Sequence, residues 1–250
     1  MTPLAAIAYR EGRIRLVNPI FPLWDVVVPV VYLLVFGAGL EQFLGVEHAG
    51  GVDYPTFLLG GVLSMVTFSV AWNSSYAWFE DLQSGVFHEL LTYPFPRRHL
   101  LLGKLMFNAT FSLLAAALCM LAARTVLHIH ILPAQMPMLA VWLVVGAAAW
   151  YFLFALLALL VRGFNAYHTT TSAFFVLLMF VSNLFYPAGG LPGPLPWVAW
   201  INPVTWQTDL LRHYTYGAEI PYLEAEGVAL VLFTLLMFFL ASRKLNGTIE

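Results

Sequence analysis

The sequence predicts an all-α membrane protein with six transmembrane helices, an N-terminal amphipathic helix at the interface, a further short helix between the second and third spans, and a re-entrant helical hairpin between the fifth and sixth. Three observations lead there. Of 250 residues, 61% are hydrophobic and only 10% are charged, with a mean hydropathy of +0.81, whereas a soluble domain carries about 25% charged residues. The apolar residues fall into runs approaching the ~20 residues that cross a bilayer. The basic residues are sorted: Arg10, Arg13, Arg15, Arg97, Arg98, Lys104, Arg162, Arg243 and Lys244 fall on one side of the predicted spans, and Arg124 and Arg212 on the other. Nine against two is a strong positive-inside signal, which places both termini and the 79–104 insert in the cytoplasm. A net charge of −2 gives no nucleic-acid footprint.

Residues 3–18 read as the amphipathic entry helix. Leu4, Ile7, Ala8, Ile14 and Val17 are placed to meet lipid, and the arginines to meet headgroup phosphates. The same arginines, with no apolar core before them, fit no cleavable signal peptide. Asn18-Pro19 and Pro22 break this helix. The first span is expected over 22–40, with Asp25 near its start and Pro29 inside it, tolerated where neighbouring groups satisfy the freed carbonyl. A loop without lysine or arginine follows at 45–55, and the second span is expected over 56–78.

The insert 79–104 is the one long polar stretch on the basic side. Phe79, Leu82, Val86, Phe87, Leu90 and Leu91 recur at helical spacing, while Glu80, Asp81, Gln83, Ser84, His88 and Glu89 fall mostly on the opposite side. Pro94 ends the pattern, and Pro96, Arg97 and Arg98 lead into the next apolar run. An interfacial helix on lipid and a docking element for a soluble partner fit this pattern equally. Gly85, in its middle, costs ~1 kcal/mol against alanine and marks a kink between two short pieces.

Further spans are expected over 100–127, 138–161 and 168–186. Residues 187–222 hold Pro187, Pro192, Pro194 and Pro196, which forbid a long helix, and then Asn202-Pro203, a cap followed by a first-turn proline. A helix from there to about Tyr214, with Trp197, Trp200, Trp206, Tyr214 and Tyr216 suited to headgroup depth, reads as a hairpin that dips into the membrane and returns. The last span, over 228–241, is short and borrows length from 222–227 and from snorkelling Arg243 and Lys244.

The spans are nearly free of ionisable groups. Asp25, Glu41 and Arg124 sit near span ends, so the buried carboxylate or histidine that couples an ion-driven carrier has no candidate. His128 and His130 are a weak metal pair. His48, His88, His99, His168 and His213 are scattered, and Asn73, Ser74 and Ser75 have no nearby histidine and read as packing groups. The single Cys119 excludes an internal disulfide and a cysteine metal site. Gly103-Lys104 is no phosphate loop, because Leu105 stands in place of Ser or Thr and Arg98 in place of the first glycine. No catalytic, cofactor-binding or metal-binding residue is expected in this chain; energy for uphill movement would have to come from another one.

Three stretches resemble one family, the ABC-2 type transporter permeases, membrane subunits of ATP-driven exporters. The first is Glu80-Asp81-Leu82-Gln83-Ser84-Gly85-Val86-Phe87-His88-Glu89-Leu90-Leu91-Thr92-Tyr93-Pro94, followed by Arg97, Arg98, Leu102, Gly103 and Lys104. The second is Leu184-Phe185-Tyr186-Pro187 with Gly190-Leu191-Pro192. The third is Ile201-Asn202-Pro203-Val204-Thr205 with Asp209-Leu210-Leu211-Arg212. The resemblance covers nearly the whole chain as a single transmembrane domain. It implies a half-transporter in a bacterial-type inner membrane, paired with a second copy or a paralogous permease and with a cytoplasmic ATP-binding cassette ATPase that holds the ATP and magnesium. Residues Phe79, Glu80, Asp81, Leu82, Gly85, Val86, Phe87, Glu89, Leu90, Arg97 and Arg98 would then couple to that ATPase. Spans one, two and five would line a path between protomers, with Trp72, Tyr76, Phe174, Phe185 and Tyr186 as candidates, while Trp24 and Trp78 fit a tryptophan belt. Pro187, Leu191, Pro192, Asn202, Pro203 and Arg212 would belong to the outer re-entrant region. The implied cargo is an amphiphile: a lipid-linked glycan, a lipo-oligosaccharide or a drug. A membrane-embedded enzyme and an ion-coupled carrier, each without an ATPase, are the alternatives.

Overall fold

The computed structural model describes residues 2–39, 52–93, 95–187 and 193–247, apart from the side chains of Phe21, His88 and Leu91. The sequence features at Glu41, His48, Pro94, Gly190, Leu191 and Pro192 lie outside the described residues. The elements that position a site are helices: α1 Pro3–Val17, α2 Ile20–Val31, α3 Tyr54–Gln83, α4 Val86–Thr92, α5 Arg98–Val126, α6 Met136–Leu160, α7 Phe164–Phe180, α8 Leu195–Trp200, α9 Pro203–Tyr216 and α10 Leu223–Asn246. Among the described residues, five segments are long and apolar enough to cross a membrane: Pro22–Gly39, Tyr54–Gln83, Arg98–Val126, Pro133–Leu160 and Leu223–Asn246. The 17 residues of α7 reach only ~25 Å against a hydrocarbon core of ~30 Å.

The span limits differ from the sequence expectation in ways that have local causes. Pro29 lies inside α2, and the chain continues through a π-helical turn, Tyr32–Phe36, one turn beyond it; a proline that removes an internal donor commonly leaves such a distortion. Helix α3 runs 30 residues to Gln83, so the first part of the polar insert is the last turn of a span. Helix α7 stops at Phe180, six residues early, and residues 181–186 bend. Helix α10 begins at Leu223, because Glu226 and Gly227 turn inward and are buried.

Helix α3 sits at the centre, packed by α6, α9, α5 and α2, while α10 lies on α6 and α1 lies across α5. One core gathers Phe68, Trp78, Trp150 and Phe154; a second gathers Leu58, Leu59 and Val62 with Ala115 and Cys119. Helix α1 turns Ile7 and Glu11 into the protein, not toward lipid, while Leu16 and Val17 remain exposed.

Helix α9 is wedged between α3, α6 and α10. Asn202 caps it, accepting from the Val204 amide at 2.9 Å, and its own amide group donates to the Leu178 and Val181 carbonyls. Pro203 takes the first helical position, where no donor is needed. Gln207 donates to Thr67 at 2.8 Å and accepts from Trp150 Nε1 at 2.5 Å, and Thr208 donates to Ser64 at 2.9 Å. Arg212 is no headgroup-facing charge. It is 3% exposed, donates to the carbonyls of Phe57, Asn183 and Leu184, pairs with Asp209 at 3.3 Å and stacks 3.7 Å from the Phe57 ring centroid. Its backbone approaches so closely that a Cβ at Gly60 would lie 3.2 Å from the Arg212 nitrogen and 2.4 Å from its Cγ.

Two substitutions test this seat. Gly60→Ala should cost about 1–3 kcal/mol through overpacking, and Arg212→Ala more, about 3–5 kcal/mol, since Asp209 is left buried without its cation. Thermal unfolding of detergent-solubilised protein reads both, and equal melting temperatures for Arg212→Ala and wild type would contradict the seat.

Candidate functional site: the basic end of α3

The alternating helix directions bring the start of α5, the ends of α3, α6 and α10, and helices α1 and α4 to one end of the bundle; Arg97 Nη1 donating to the Asn246 carbonyl at 2.7 Å ties α10 into it. The expected single amphipathic helix from Phe79 to Leu91 is here two pieces. Gly85 takes φ +79°, a conformation that L side chains rarely adopt, so α3 ends and the seven-residue α4 starts in a new direction. The apolar positions still turn inward. Phe79 stacks on Tyr167 of α7, with ring centroids 4.7 Å apart and planes 10° apart, and Phe87 lies 5.9 Å from Trp78. Leu82, Val86 and Leu90 are half-buried, whereas Glu80, Gln83, Glu89, Thr92, Tyr93 and Arg98 are exposed.

Asp81 does not share that exposed face. It is buried at the centre of a four-charge cluster. Arg10 reaches its two oxygens at 2.7 and 3.2 Å and Lys104 reaches one at 2.7 Å. Lys104 also pairs with Glu11 at 2.8 Å, and Arg10 with Glu11 at 3.0 Å. Two cations and two carboxylates thus neutralise each other where α1, α3 and α5 meet. Partial burial works against the Arg10 charge, but the Asp81 and Glu11 carboxylates outweigh it and raise the guanidinium above the usual arginine range. Lys104 lies 5.0 Å from the Trp78 ring centroid, and the Trp78 Nε1 donates to the Tyr151 hydroxyl of α6 at 2.6 Å. Trp78 is therefore fully buried, not a belt residue, whereas Trp24 is exposed.

One turn further in, a second polar cluster crosses the α1–α2 elbow. Arg15 faces Asp25 at 3.5 Å and donates to Ser74. Asn73 donates to Asp25 at 2.5 Å and Asn108 to Ser74 at 2.9 Å. Tyr167 donates to Ser75. Arg10 and Arg15 thus serve ion pairs inside the protein and not lipid phosphates. The last three turns of α3, from Asn73 to Gln83, are bonded to α1, α2, α5, α6 and α7. What this arrangement can do is mechanical: a push on the exposed face of α3 and α4 meets a rigid, polar-locked junction. Among the described residues, no group of three or more His, Cys, Asp or Glu side chains is placed to hold a metal ion.

Sequence reasoning missed Glu11 and the inward role of Lys104 and Asp81. The available signal was Glu11 itself, an acid spaced four residues from Ile7 in an otherwise basic helix. The five path candidates fall apart into separate places. Trp72 packs 4.9 Å from Phe175, and Tyr76 packs edge-on to Tyr167 at 5.8 Å, both between α3 and α7. Phe174 is exposed on α7. Phe185 lies 6.0 Å from Tyr32 and 5.5 Å from Phe180, and Tyr186 donates to the Phe180 carbonyl, both at the opposite end, where exposed Pro187 closes the described segment.

Comparison with known proteins agrees with this architecture. A family model described as ABC-2 type transporter matches residues 2–216. Nodulation protein J of Rhizobium meliloti (strain 1021) is 26% identical over 234 residues, which cover 87% of this chain and 82% of that protein. With the match extending from α1 to the end of α9, the chain belongs to the ABC-2 type transporter family, as a membrane-embedded permease.

Proposed function

We propose that this chain is the membrane half of an ATP-driven exporter and that the end of α3, with α4, receives a separate cytoplasmic ATPase. The observation that carries the reading is the pairing of an exposed face, Glu80, Gln83, Glu89 and Tyr93, with the buried Arg10–Glu11–Asp81–Lys104 cluster directly behind it. A partner seated on that face moves α1, α3 and α5 together, because separating them strips buried charges of their partners. The coupling role of Phe79, Leu82, Gly85, Val86, Phe87 and Leu90 is then to hold α4 against the bundle. Asp81 acts from behind the surface, and Arg97 and Arg98 border it. ATP and magnesium stay in the partner.

In the same reading, α7 with its bent extension 181–186 is the fifth of six crossings, and α8 and α9 form the hairpin that re-enters the membrane from the outer side. The basic end faces the cytoplasm of a bacterial-type inner membrane: Arg13, Arg98, Arg162, Arg243 and Lys244 are exposed there, against Arg124 at the other end. A second copy, or a paralogous permease, covers the exposed apolar sides of α2, of the π-helical turn that follows it and of α7, where Leu23, Val35, Leu177 and Phe180 are exposed. An amphiphile such as a lipid-linked glycan, a lipo-oligosaccharide or a drug passes between the two.

Two outcomes are expected. Charge reversal at both Glu80 and Glu89 should lower recovery of the co-purifying ATPase from native membranes about tenfold or more, equivalent to ~1.4 kcal/mol; unchanged recovery would remove the docking role. Asp81→Ala should leave the exposed face and ATPase recovery intact but destabilise the permease by about 3–5 kcal/mol, and ATP hydrolysis by the reconstituted complex should no longer respond to the permease. A fully coupled Asp81→Ala complex would place transmission elsewhere.

A further inference from the structure

Away from the coupling surface, helices α6, α9 and α10 leave a groove of about 390 Å³ on the membrane-facing side of the bundle. Trp142, Leu210 and Tyr214 line it from α6 and α9, and Glu224, Val231 and Leu232 from α10. The indole of Trp142 lies against α10 because position 227 is glycine: a Cβ there would come within 2.9 Å of the indole ring.

The groove runs from polar to apolar along α10, and by composition its neighbours mark where the bilayer surface would cross it. Trp200 and Tyr222 are exposed and pack edge-to-face with ring centroids 5.3 Å apart, an aromatic pair of the kind that gathers at headgroup depth. Glu224 follows Tyr222 by two residues and is exposed, so its carboxylate stands at that same depth. Val231 and Leu232 lie about 10–12 Å further along the helix at 1.5 Å per residue, within the acyl layer, and no lysine or arginine lines the groove.

We propose that this groove binds a glycerophospholipid with a primary-amine headgroup, taken from the leaflet opposite the basic end. One acyl chain lies along Val231 and Leu232 against Trp142, and the ammonium group pairs with the Glu224 carboxylate. A lipid with no amine, such as a phosphatidylglycerol, brings its phosphate to the same carboxylate without a compensating ammonium, so the groove selects for the amine at its mouth and by shape below. The assignment needs the bundle to sit in a bilayer but does not depend on an ATPase partner.

Native mass spectrometry of the purified full-length chain tests it, after delipidation and addition of equal amounts of dioleoyl phosphatidylethanolamine and dioleoyl phosphatidylglycerol. Wild type should retain the ethanolamine lipid in preference. Glu224→Gln should reduce that preference about fivefold, the loss of one exposed ion pair. Leu232→Trp fills the groove from a side chain that is 60% exposed, so the fold is kept, and it should abolish the retained lipid; Val231→Phe serves as a second filling variant. Equal retention of the two lipids by wild type overturns the proposal, as does unchanged retention in both folded filling variants. A lipid-free dimer that Leu232→Trp converts to monomer also overturns it, since the groove then belongs to a second copy.

Discussion

Helix α3 is held by polar contacts near both of its ends, and the rest of the bundle is arranged around that double attachment. Between helices in a membrane there is little hydrophobic gain, since lipid tails are as apolar as leucine; close packing and interhelical hydrogen bonds decide which helices stay together. At the basic end, Asp81 holds Arg10 and Lys104. In the other half, Ser64 and Thr67 hold Thr208 and Gln207, and the Phe57 carbonyl accepts from Arg212. Both clusters are buried, so either one broken leaves uncompensated charge or unmatched donors in the interior.

The consequence for transport follows from the length of α3. A displacement applied at Glu80 has a direct mechanical route to the α9 wedge, because the helix between is packed by aromatic and apolar contacts along nearly its whole length. Helix α7 differs: only Tyr167, Thr171 and Met179 are buried along it. Its firm tie to the basic end is the Phe79–Tyr167 stack with the Tyr167–Ser75 hydrogen bond. The bundle thus contains a rigid part, α1, α3, α5, α6, α9 and α10, and a lightly held one, α7, beside the exposed face of α2.

Much of this was legible in the sequence. Apolar run length led to six expected crossings, five of which are helices long and apolar enough to cross a membrane among the described residues, and Asn202-Pro203 announced α9 because a cap and a first-turn proline carry their meaning locally. What was not legible depended on partners distant in the chain. Asp81 sits among polar residues and reads as exposed; only Arg10, 71 residues away, and Lys104, 23 residues away, turn it inward. Trp78 reads as a belt residue until Tyr151 supplies its acceptor. The last span reads as short because Glu224, Glu226 and Gly227 look like loop; the length it borrows from 222–227 is helical from Leu223, with Glu226 buried and Gly227 admitting Trp142. Residues 181–186 look like the end of a span by composition, but the Arg212 and Tyr54 contacts to the carbonyls of Asn183, Leu184 and Phe185 hold them bent.

On the function proposed above, a soluble ATPase sits on the face formed by the end of α3 and by α4. The direct measurement is photocrosslinking in native membranes, with a benzophenone amino acid placed at Glu89, at Tyr93, or at the exposed Trp197 of the opposite end. The Glu89 and Tyr93 positions should capture a soluble ATP-binding protein, and the Trp197 position should not. Capture of no such protein at Glu89 and Tyr93, by full-length protein correctly inserted in the membrane, would contradict it.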